Sequence, residues 1–309
     1  MNQSKQITDT ILMVRPAHFG YNMETAQNNA FQTNDTSRTP EEISNLARQE
    51  FDHFVQKLRD HGIEVVVVED TPEPIKADAV FPNNWISFHG NGQIITYPMF
   101  SSVRRKERRE DIINTMINQF HFSDTVRLEQ QFGETDQFLE GTGSMILDRD
   151  HQLVYACISV RTHPDLVQQF CQHIRYRPIL FHALDRDGQE IYHTNVMMAI
   201  GETFAVICLD CIPKEERNKV KAHLGETNKQ IIDISLQQME AFAGNMLQVR
   251  NKKEETFLVM SEQAYQSLTQ KQITQIEKHT QILYSPLDTI EAYGGGSARC
   301  MMAEVFKPE

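Results

Sequence analysis

The segment GSMILDRDHQLVYACISV (143–160) shows the pattern from which the fold can be predicted: an apolar strand, a polar turn and a second apolar strand. The same pattern occurs in NNWISFHGNGQIITYPM (83–99), NVMMAIGETFAVICLD (195–210) and GNMLQVRNKKEETFLVMS (244–261). The turns between the apolar runs are polar, with the residue types that β-hairpin turns use. We therefore predict four β-hairpins.

Each hairpin is followed by a helix-like stretch and then by a further strand-like run, such as PILFHAL (178–184) or QIIDIS (230–235). The helix-like stretches are RRKERREDIINTMINQF (104–120), HPDLVQQFCQHI (163–174), PKEERNKVKAHL (213–224) and EQAYQSLTQ (262–270). Three of them begin with an acidic or proline-bearing first turn, as helix starts often do. The predicted unit is therefore strand–strand–helix–strand, or ββαβ.

A polar residue stands at the head of each hairpin, and the series continues to a cysteine near the C-terminus. These residues are Asn84, Glu140, Asn195, Asn245 and Cys300, at steps of 56, 55, 50 and 55 residues. Self-similarity at such a period is typical of repeat and propeller architectures. The spacing therefore predicts five units.

The fifth unit is split between the two ends of the chain. RCMMAEVF (299–306) supplies its first strand and DTILMVRPA (9–17) its second, and the helix at 41–62 and the strand at 63–70 complete it. Joining the termini in one unit closes a ring and removes free sheet edges. The predicted fold is thus a single-domain, five-bladed α/β propeller over residues 1–309, with pseudo-fivefold symmetry. The alternative is an ordinary mixed α/β sandwich in which the spacing is chance.

Residues 18–40 are long, polar and rich in Asn and Thr, and they have no place in the repeat. A loop of this length inside a compact domain is usually a lid or a disordered segment. We predict a lid.

Composition excludes several classes of partner. The chain has 309 residues, 30 Lys and Arg, 42 Asp and Glu, and a formal net charge of −12, which argues against nucleic acid. It contains no apolar run of membrane-spanning length and no apolar region at its N-terminus, so we expect a cytoplasmic protein. The one dense basic run, from Arg104 to Arg109, predicts either a solvated helix face or a local anion site.

The five cysteines are odd in number and irregular in spacing, which argues against a disulfide framework. Cys208 and Cys211 form a C-x-x-C pair, but no second ligand pair is evident and the pair lies in an apolar run, so we expect core thiols. We expect no metal and no cofactor. Cys300 is different, because it follows Gly294-Gly295-Gly296, and consecutive glycines allow close backbone approach to a ligand.

In a closed ring the polar residues at the strand heads converge on the central axis. Cys300, His193 and Glu140 would then supply a nucleophile, an imidazole and a carboxylate in one place, which is a set for covalent catalysis. A lone cysteine or histidine is more often a core residue. Their common register in the repeat favours the catalytic interpretation.

Four motifs and the N-terminal MVRPAHFGYN carry a resemblance to a known family. FLEGTG (138–143), ISVRT (158–162), YHTN (192–195) and GGGSARC (294–300) resemble the guanidine-modifying, or pentein, superfamily. That superfamily includes arginine deiminases, arginine dihydrolases, dimethylarginine hydrolases and amidinotransferases. The chain looks most similar to bacterial amidinotransferase-like proteins and citrulline-utilisation hydrolases. The family fold is a five-bladed α/β propeller of ββαβ units.

The resemblance implies roles for individual residues. Cys300 matches the nucleophile, His193 the general acid and base, and Glu140 the carboxylate that holds a substrate nitrogen and orients the imidazole. Arg161 and Arg104 match arginines that bind the α-carboxylate of a small amino-acid substrate, a task suited to the bidentate guanidinium. For Arg104 the alternative is an exposed helix charge.

The lid carries two further candidates. Asn22 and Asn29 are placed to meet the amino-acid head of the substrate. Sequence leaves the oligomeric state open.

Asn84 and Asn195 stand where arginine deiminases carry aspartates. An amide both donates and accepts hydrogen bonds, so it can pair with a neutral ureido group. We therefore expect hydrolysis of the ureido or guanidino group of citrulline or an arginine-like amino acid, through a covalent cysteine adduct, to an ornithine-type product, ammonia and carbon dioxide. The alternatives are an arginine deiminase or dihydrolase, a dimethylarginine hydrolase, an amidinotransferase, and a non-catalytic pentein-fold binding protein.

Overall fold

The structure, a computed structural model, describes residues 6–33, 35–131 and 136–308. The strands of this described part are β1 (Thr10–Arg15), β2 (Glu64–Glu69), β3 (Ile86–Phe88), β4 (Gln93–Thr96), β5 (Asp124–Arg127), β6 (Ile146–Asp148), β7 (Leu153–Cys157), β8 (Arg177–Phe181), β9 (Met198–Ile200), β10 (Phe204–Ile207), β11 (Gln230–Asp233), β12 (Leu247–Arg250), β13 (Thr256–Ser261), β14 (Gln281–Ser285) and β15 (Ala303–Glu304).

The helices are short except where they cross between strands. They are α1 (Met23–Ala26), α2 (Pro40–Asp60), α3 (Glu110–Phe120), α4 (Leu128–Gln131), α5 (Gly141–Ser144), α6 (Pro164–Ile174), α7 (Thr194–Met197), α8 (Lys214–Glu226), α9 (Leu236–Glu240), α10 (Glu262–Ser267), α11 (Gln270–Glu277) and α12 (Asp288–Gly294), with 3₁₀ turns at Pro82–Asn84 and Arg104–Glu107.

The strands form five three-stranded sheets with one common pattern. In β3–β4–β5 the first two strands pair antiparallel and the third runs parallel to the second. The sheets β6–β7–β8, β9–β10–β11 and β12–β13–β14 repeat it, with at least one helix before each third strand. The predicted ββαβ units are therefore confirmed.

The fifth sheet has the order β15–β1–β2 and joins the two ends of the chain, as predicted. Ile11 lies opposite Glu304 in an antiparallel pair, and β1 runs parallel to β2. The strand predicted over 299–306, however, is only two residues long. The backbone before it forms turns, because Cys300 N–H donates to Ser297 and Met302 N–H donates to Arg299 instead of to a neighbouring strand.

The other polar residues predicted at strand heads also lie just before the strands. Asn84 ends the first 3₁₀ turn, Glu140 precedes α5, and His193 precedes α7, which contains Asn195. Asn245 lies in the turn before β12. These one-turn segments replace ladder pairing with local hydrogen bonds, and each holds one or two polar side chains.

Neighbouring sheets contact one another in sequence order, although each sheet is open and none closes on itself. Contacts join β6 to β9, β9 to β12, and β15 to β3. An isolated bridge links Phe88 to Val305, and Arg250 N–H donates to the Thr8 carbonyl at 3.0 Å.

The longest helix, α2, shows how sequence places the outer layer. Thr39 and Glu42 form a capping box, Pro40 occupies the first turn, and Phe51 and Phe54 are buried on the inner face. In the described residues, no helix combines the length and apolar character that crossing a membrane would require. All five cysteines are free and buried, which confirms Cys208 and Cys211 as core thiols.

Candidate active site

The turns before the strands bring polar side chains to one buried cleft. It is lined by Thr25, Asn29, Asp78, Phe81, Asn84, Arg104, Arg161, Tyr192, His193, Gly294, Gly295, Gly296 and Cys300. The free space is about 20 Å³, close to the minimum for one water molecule. The predicted nucleophile, imidazole and both arginines therefore line one cleft, which is nearly closed.

Glu140 and His193 form a buried pair at the back of this cleft. His193 Nε2 lies 2.8 Å from Glu140 Oε2, and both side chains are almost fully buried. Glu140 Oε1 also accepts from Phe100 N–H at 2.9 Å. If Nε2 carries the proton that Glu140 accepts, Nδ1 is the basic nitrogen of the ring.

The protonation of this pair follows from burial and charge. Burial lowers the pKa of His193 to about 4, against the opposing effect of the Glu140 hydrogen bond. Burial alone would raise the pKa of Glu140, but the Arg161 guanidinium and His193 outweigh it and hold that pKa well below its usual value. At neutral pH the pair is therefore a carboxylate beside a neutral imidazole.

Glycine at position 143 allows the side chains of Asn84 and His193 to lie close to the backbone there. A Cβ there would lie 2.4 Å from Asn84 Nδ2 and 2.7 Å from His193 Nδ1, too close for any real side chain. The Glu-Gly-Thr-Gly motif thus brings the Asn84 amide and the imidazole to the same small space.

Two amides surround the Cys300 sulfur. Asn195 Nδ2 lies 3.3 Å and Asn245 Nδ2 lies 3.2 Å from Sγ. Asn245 is itself fixed, because its Oδ1 accepts from Arg299 N–H and its Nδ2 also donates to the Asn195 carbonyl. The repeat period placed Asn245 on the axis, but sequence reasoning did not include it among the site residues.

The glycine loop holds the lid segment next to the nucleophile. Gly295 has φ +60°, and a Cβ there would lie 2.6 Å from Asn29 Nδ2. Asn29 donates to the Gly295 carbonyl at 3.3 Å, and the Tyr192 hydroxyl donates to the same carbonyl at 2.6 Å. Asn29 therefore lines the cleft, and its side chain is hydrogen-bonded to the backbone of the glycine loop.

Arg161 connects the lid segment to the Glu140–His193 pair. Its guanidinium donates to Asn28 Oδ1 through two nitrogens and to the Thr25 carbonyl at 2.9 Å. Its Nη1 lies 3.6 Å from Glu140 Oε2. Only 1% of Arg161 is exposed.

Arg104 is buried, so its interpretation as an exposed helix charge is wrong. It pairs with both oxygens of Glu107 at 2.9 Å, and its Nη1 donates to Asn84 Oδ1 at 2.9 Å. Burial raises the pKa of Glu107 to about 7, although Arg104 pulls it down. The basic run is therefore not a solvated face throughout.

Asp78 is a cleft residue that sequence reasoning missed. It is 2% exposed, and its Oδ2 accepts from Asn22 Nδ2 at 2.7 Å, so Asn22 supports Asp78 and does not itself line the cleft. Burial raises the pKa of Asp78. The Pro-rich loop that carries it has no motif that could have identified it.

Three buried polar atoms of this site have no hydrogen-bond partner. They are Asp78 Oδ1, Asn84 Nδ2 and Asn195 Oδ1. The orientation of Asn84 is fixed by Arg104, which can only donate and so must face the amide oxygen. Buried polar atoms are nearly always paired, so the free atoms of Asp78 and Asn84, which line the cleft, are available to a ligand there. Asn195 does not line the cleft, but its amide contacts the Cys300 sulfur.

The chain is similar to a known protein family and to several solved structures. The family model described as N,N dimethylarginine dimethylhydrolase, eukaryotic, matches residues 15–307. No curated protein sequence is significantly similar to the chain. Among solved structures, ArgZ, an arginine dihydrolase from the ornithine–ammonia cycle in cyanobacteria, superposes with a TM-score of 0.75 at 16% identity over 97% of this chain.

The chain spans 41% of that ArgZ structure, and 98% of the N-terminal domain of ArgZ covalently bonded to a reaction intermediate, with a TM-score of 0.74. A dimethylarginine dimethylaminohydrolase with a bound S-methyl-L-thiocitrulline adduct superposes with a TM-score of 0.65 at 13% identity, over 96% of this chain and 99% of that one. These structures share the fold described above.

Proposed function

The chain belongs to the N,N dimethylarginine dimethylhydrolase family, within the guanidine-modifying superfamily. From this membership and from the amides of the site, we propose that it hydrolyses the ureido group of citrulline or a close analogue. Relatives in this superfamily are hydrolases that act on guanidino groups. The proposed reaction converts citrulline and water into ornithine, ammonia and carbon dioxide.

One observation carries the ureido assignment: the two unpaired amide atoms are of opposite type. Asn84 Nδ2 is a donor and Asn195 Oδ1 is an acceptor. A ureido group presents an oxygen as well as N–H groups, whereas a guanidinium presents N–H groups alone. A buried donor left facing a guanidinium would cost about 1–3 kcal/mol.

The cysteine chemistry uses the neutral imidazole. Cys300 sulfur adds to the ureido carbon while His193 Nδ1 accepts the thiol proton, and His193 then passes that proton to the departing nitrogen. Water attacks the resulting thiocarbamate, again with His193 as base, and breaks the carbon–sulfur bond. His193 returns the proton taken from water to the departing sulfur, which regenerates the thiol, and the released carbamate decomposes to an amine and carbon dioxide.

Opposite charges in the cleft suit the head of an α-amino acid. Asp78 Oδ1 is an unpaired acceptor for an ammonium, and the Arg161 guanidinium would exchange Asn28 for the substrate carboxylate. Because the cleft is nearly closed, we propose that the segment 18–40 acts as the lid that opens for entry. Asn34 of this segment lies outside the described residues.

A product assay tests the proposal. Citrulline should yield ornithine, ammonia and carbon dioxide in equal amounts. Agmatine should be a poor substrate, because it lacks the carboxylate that Arg161 would pair with. If neither citrulline nor any guanidino compound is consumed, the chain is a binding protein of the pentein fold.

Replacing the two amides by carboxylates tests the ureido assignment more directly. In Asn195→Asp with Asn84→Asp, added negative charge should favour a guanidinium over a ureido oxygen by about 4 kcal/mol per close pair, roughly a thousandfold. Asn195→Asp alone should carry most of this shift, since Arg104 compensates a charge at position 84. A ratio of citrulline to arginine turnover that does not change would contradict the amide argument.

The family match favours a second candidate, hydrolysis of dimethylarginine. Release of dimethylamine from that substrate, with citrulline left intact, would identify this activity. Arginine converted only to citrulline would identify a deiminase, and arginine converted to ornithine a dihydrolase. An added amine that replaces water would identify an amidinotransferase.

We also propose that the five sheets stand as blades of one ring. Strand contacts at three of the five junctions between neighbouring sheets support it, as does the convergence of turns from different sheets on the cleft. A cytoplasmic location, a small amino-acid partner and the site roles of Cys300, His193 and Glu140 belong to the same proposal.

A further inference from the structure

A second cavity lies beside the glycine loop and shares no lining residue with the cleft. Its volume is about 480 Å³. The two spaces border the same stretch of chain, because Glu291 and Ala292 line the second cavity and Gly294 lines the cleft. This volume is enough for a molecule of amino-acid size.

The lining of this cavity is apolar on one side and acidic on the other. Phe31, Met239 and Phe242 form the apolar side, with the Phe31 and Phe242 rings 5.4 Å apart. The acidic residues are Asp185, Asp187, Glu240, Asp288 and Glu291. The one basic lining residue in the described part of the chain, Arg186, is paired with Glu240 at 3.0 Å.

Glu291 is the buried acid of this set. It is 2% exposed, its Oε1 accepts from Ser297 Oγ at 2.5 Å, and its Oε2 has no hydrogen-bond partner. The Ser261 hydroxyl approaches the carboxyl closely enough to lower its pKa, but it makes no hydrogen bond of ordinary geometry to Oε2. An unpaired buried carboxyl oxygen is costly whether it is ionised or protonated, so it points to an occupant with N–H groups.

Among the described residues, no group of three or more His, Cys, Asp or Glu side chains is arranged to hold a metal ion. An alkyl chain fits the apolar side and a terminal cation fits Glu291. We propose that this cavity binds a small organic cation, an alkyl chain ending in ammonium or guanidinium, through the Glu291 carboxylate. The other acidic lining residues, Asp185, Asp187, Glu240 and Asp288, favour a second positive charge at the other end of the alkyl chain.

The proposed site contacts both the glycine loop and the lid segment of the cleft. Ser297, which donates to Glu291, accepts from Cys300 N–H at 3.0 Å through its carbonyl. Thr33 N–H of the lid segment donates to the Ala292 carbonyl at 2.7 Å. A bound cation would therefore support the loop that carries the cysteine and the lid segment that covers it.

The geometry predicts a pH dependence. Burial raises the pKa of Glu291 to about 7, with a smaller contribution from Asp288 and Glu50, and the Ser261 and Ser297 hydroxyls oppose the rise. Asp185, Arg186 and Asp187 face the cavity from the loop after β8, Glu240 from the end of α9 and Asp288 from the start of α12. Since a cation binds the ionised carboxylate, affinity should rise about tenfold from pH 6 to pH 8 as the ionised fraction grows.

The test is calorimetric titration with 1,4-diaminobutane, which has no carbon that Cys300 could attack. Wild-type protein should bind one equivalent. Glu291→Gln should weaken binding on the order of 10- to 100-fold and remove the pH dependence, because a charge-assisted hydrogen bond is lost. Ala30 is an exposed lining residue of the cavity. Ala30→Lys places an ammonium beside the cavity, so it should also weaken binding of the diamine.

Two controls locate the site. Glu226→Gln changes an exposed acid elsewhere, and Asp78→Asn removes the unpaired carboxylate of the cleft, so both should leave the affinity unchanged. Absence of saturable binding in the millimolar range, or equal affinity in Glu291→Gln, would overturn the proposal. Loss of binding in Asp78→Asn would do the same by placing the diamine in the cleft. None of these outcomes depends on turnover of citrulline.

Discussion

Two groups of buried polar side chains surround Cys300, and they are stabilised in different ways. We call them the ionic side and the amide side. The ionic side consists of Asp78, Arg104, Glu107, Glu140 and Arg161, all at most 3% exposed. The amide side consists of Asn195 and Asn245, which face the sulfur without any formal charge. The ionic side is held by mutual pairing, and the amide side by hydrogen bonds to backbone groups.

This difference separates two tasks within one small space. Burial lowers the pKa of His193, the Arg161 guanidinium helps to keep Glu140 ionised, and Asp78 Oδ1 is left without a partner. Neutral donors on the amide side approach the sulfur without repelling a neutral substrate oxygen.

The largest effect is expected from Cys300→Ser, which removes the sulfur that both sides serve. Turnover of citrulline should fall below detection, because a serine hydroxyl is far less nucleophilic than a thiolate. Cys171→Ser is the matched control, a buried thiol in α6, and should retain turnover with at most a few kcal/mol loss of stability. Substantial activity in Cys300→Ser would refute the assignment of the nucleophile.

Breaking the ionic side with Glu140→Gln should lower kcat/KM by about 10²–10⁴-fold, because the amide no longer supports the imidazolium that forms at His193. Asp148→Asn is the matched control, since it removes a buried carboxylate bonded to His151 away from the cleft. An equal loss in both variants would make Glu140 a structural residue.

The pH profile of kcat/KM gives a second readout of the ionic side. The burial-lowered pKa of His193, about 4, means that the imidazole is neutral and competent above that pH and becomes protonated below it. The wild-type acid limb should therefore lie near pH 4. Because Glu140 raises the pKa of His193, Glu140→Gln should move the limb to lower pH. An acid limb near the ordinary histidine value of about 6.5 would contradict this assignment.

The smallest effect is expected from the amide side. Asn245→Ala removes one of two donors to the sulfur, so kcat should fall on the order of 10- to 100-fold with little change in KM. Asn251→Ala is the matched control, a buried amide that bonds to the His61 carbonyl in a distant loop. A loss larger than that of Glu140→Gln would reverse the proposed ranking of the two sides.

Local patterns in the sequence were sufficient for the units of the fold. Hairpin turns, apolar runs and helix caps act within a few residues, so the period of about 55 residues predicted all five sheets, including the one shared by the termini. The shortness of β15 was not predicted. Turn hydrogen bonds at Ser297 and Arg299 compete with strand pairing, and apolarity does not distinguish the two.

The sequence also predicted that Cys300, His193 and Glu140 lie close together, because residues at or near equivalent positions of a repeat take similar places in each unit. The burial of charges, in contrast, depends on contacts that form only in the folded chain. Arg104 appeared as a possible surface cation and Asp78 as a loop residue, yet both are buried in the cleft, and Glu291 lines a separate cavity. Burial and pairing arise from residues far apart in the chain, as in the Asp78–Asn22 bond, and local sequence patterns carry no record of them.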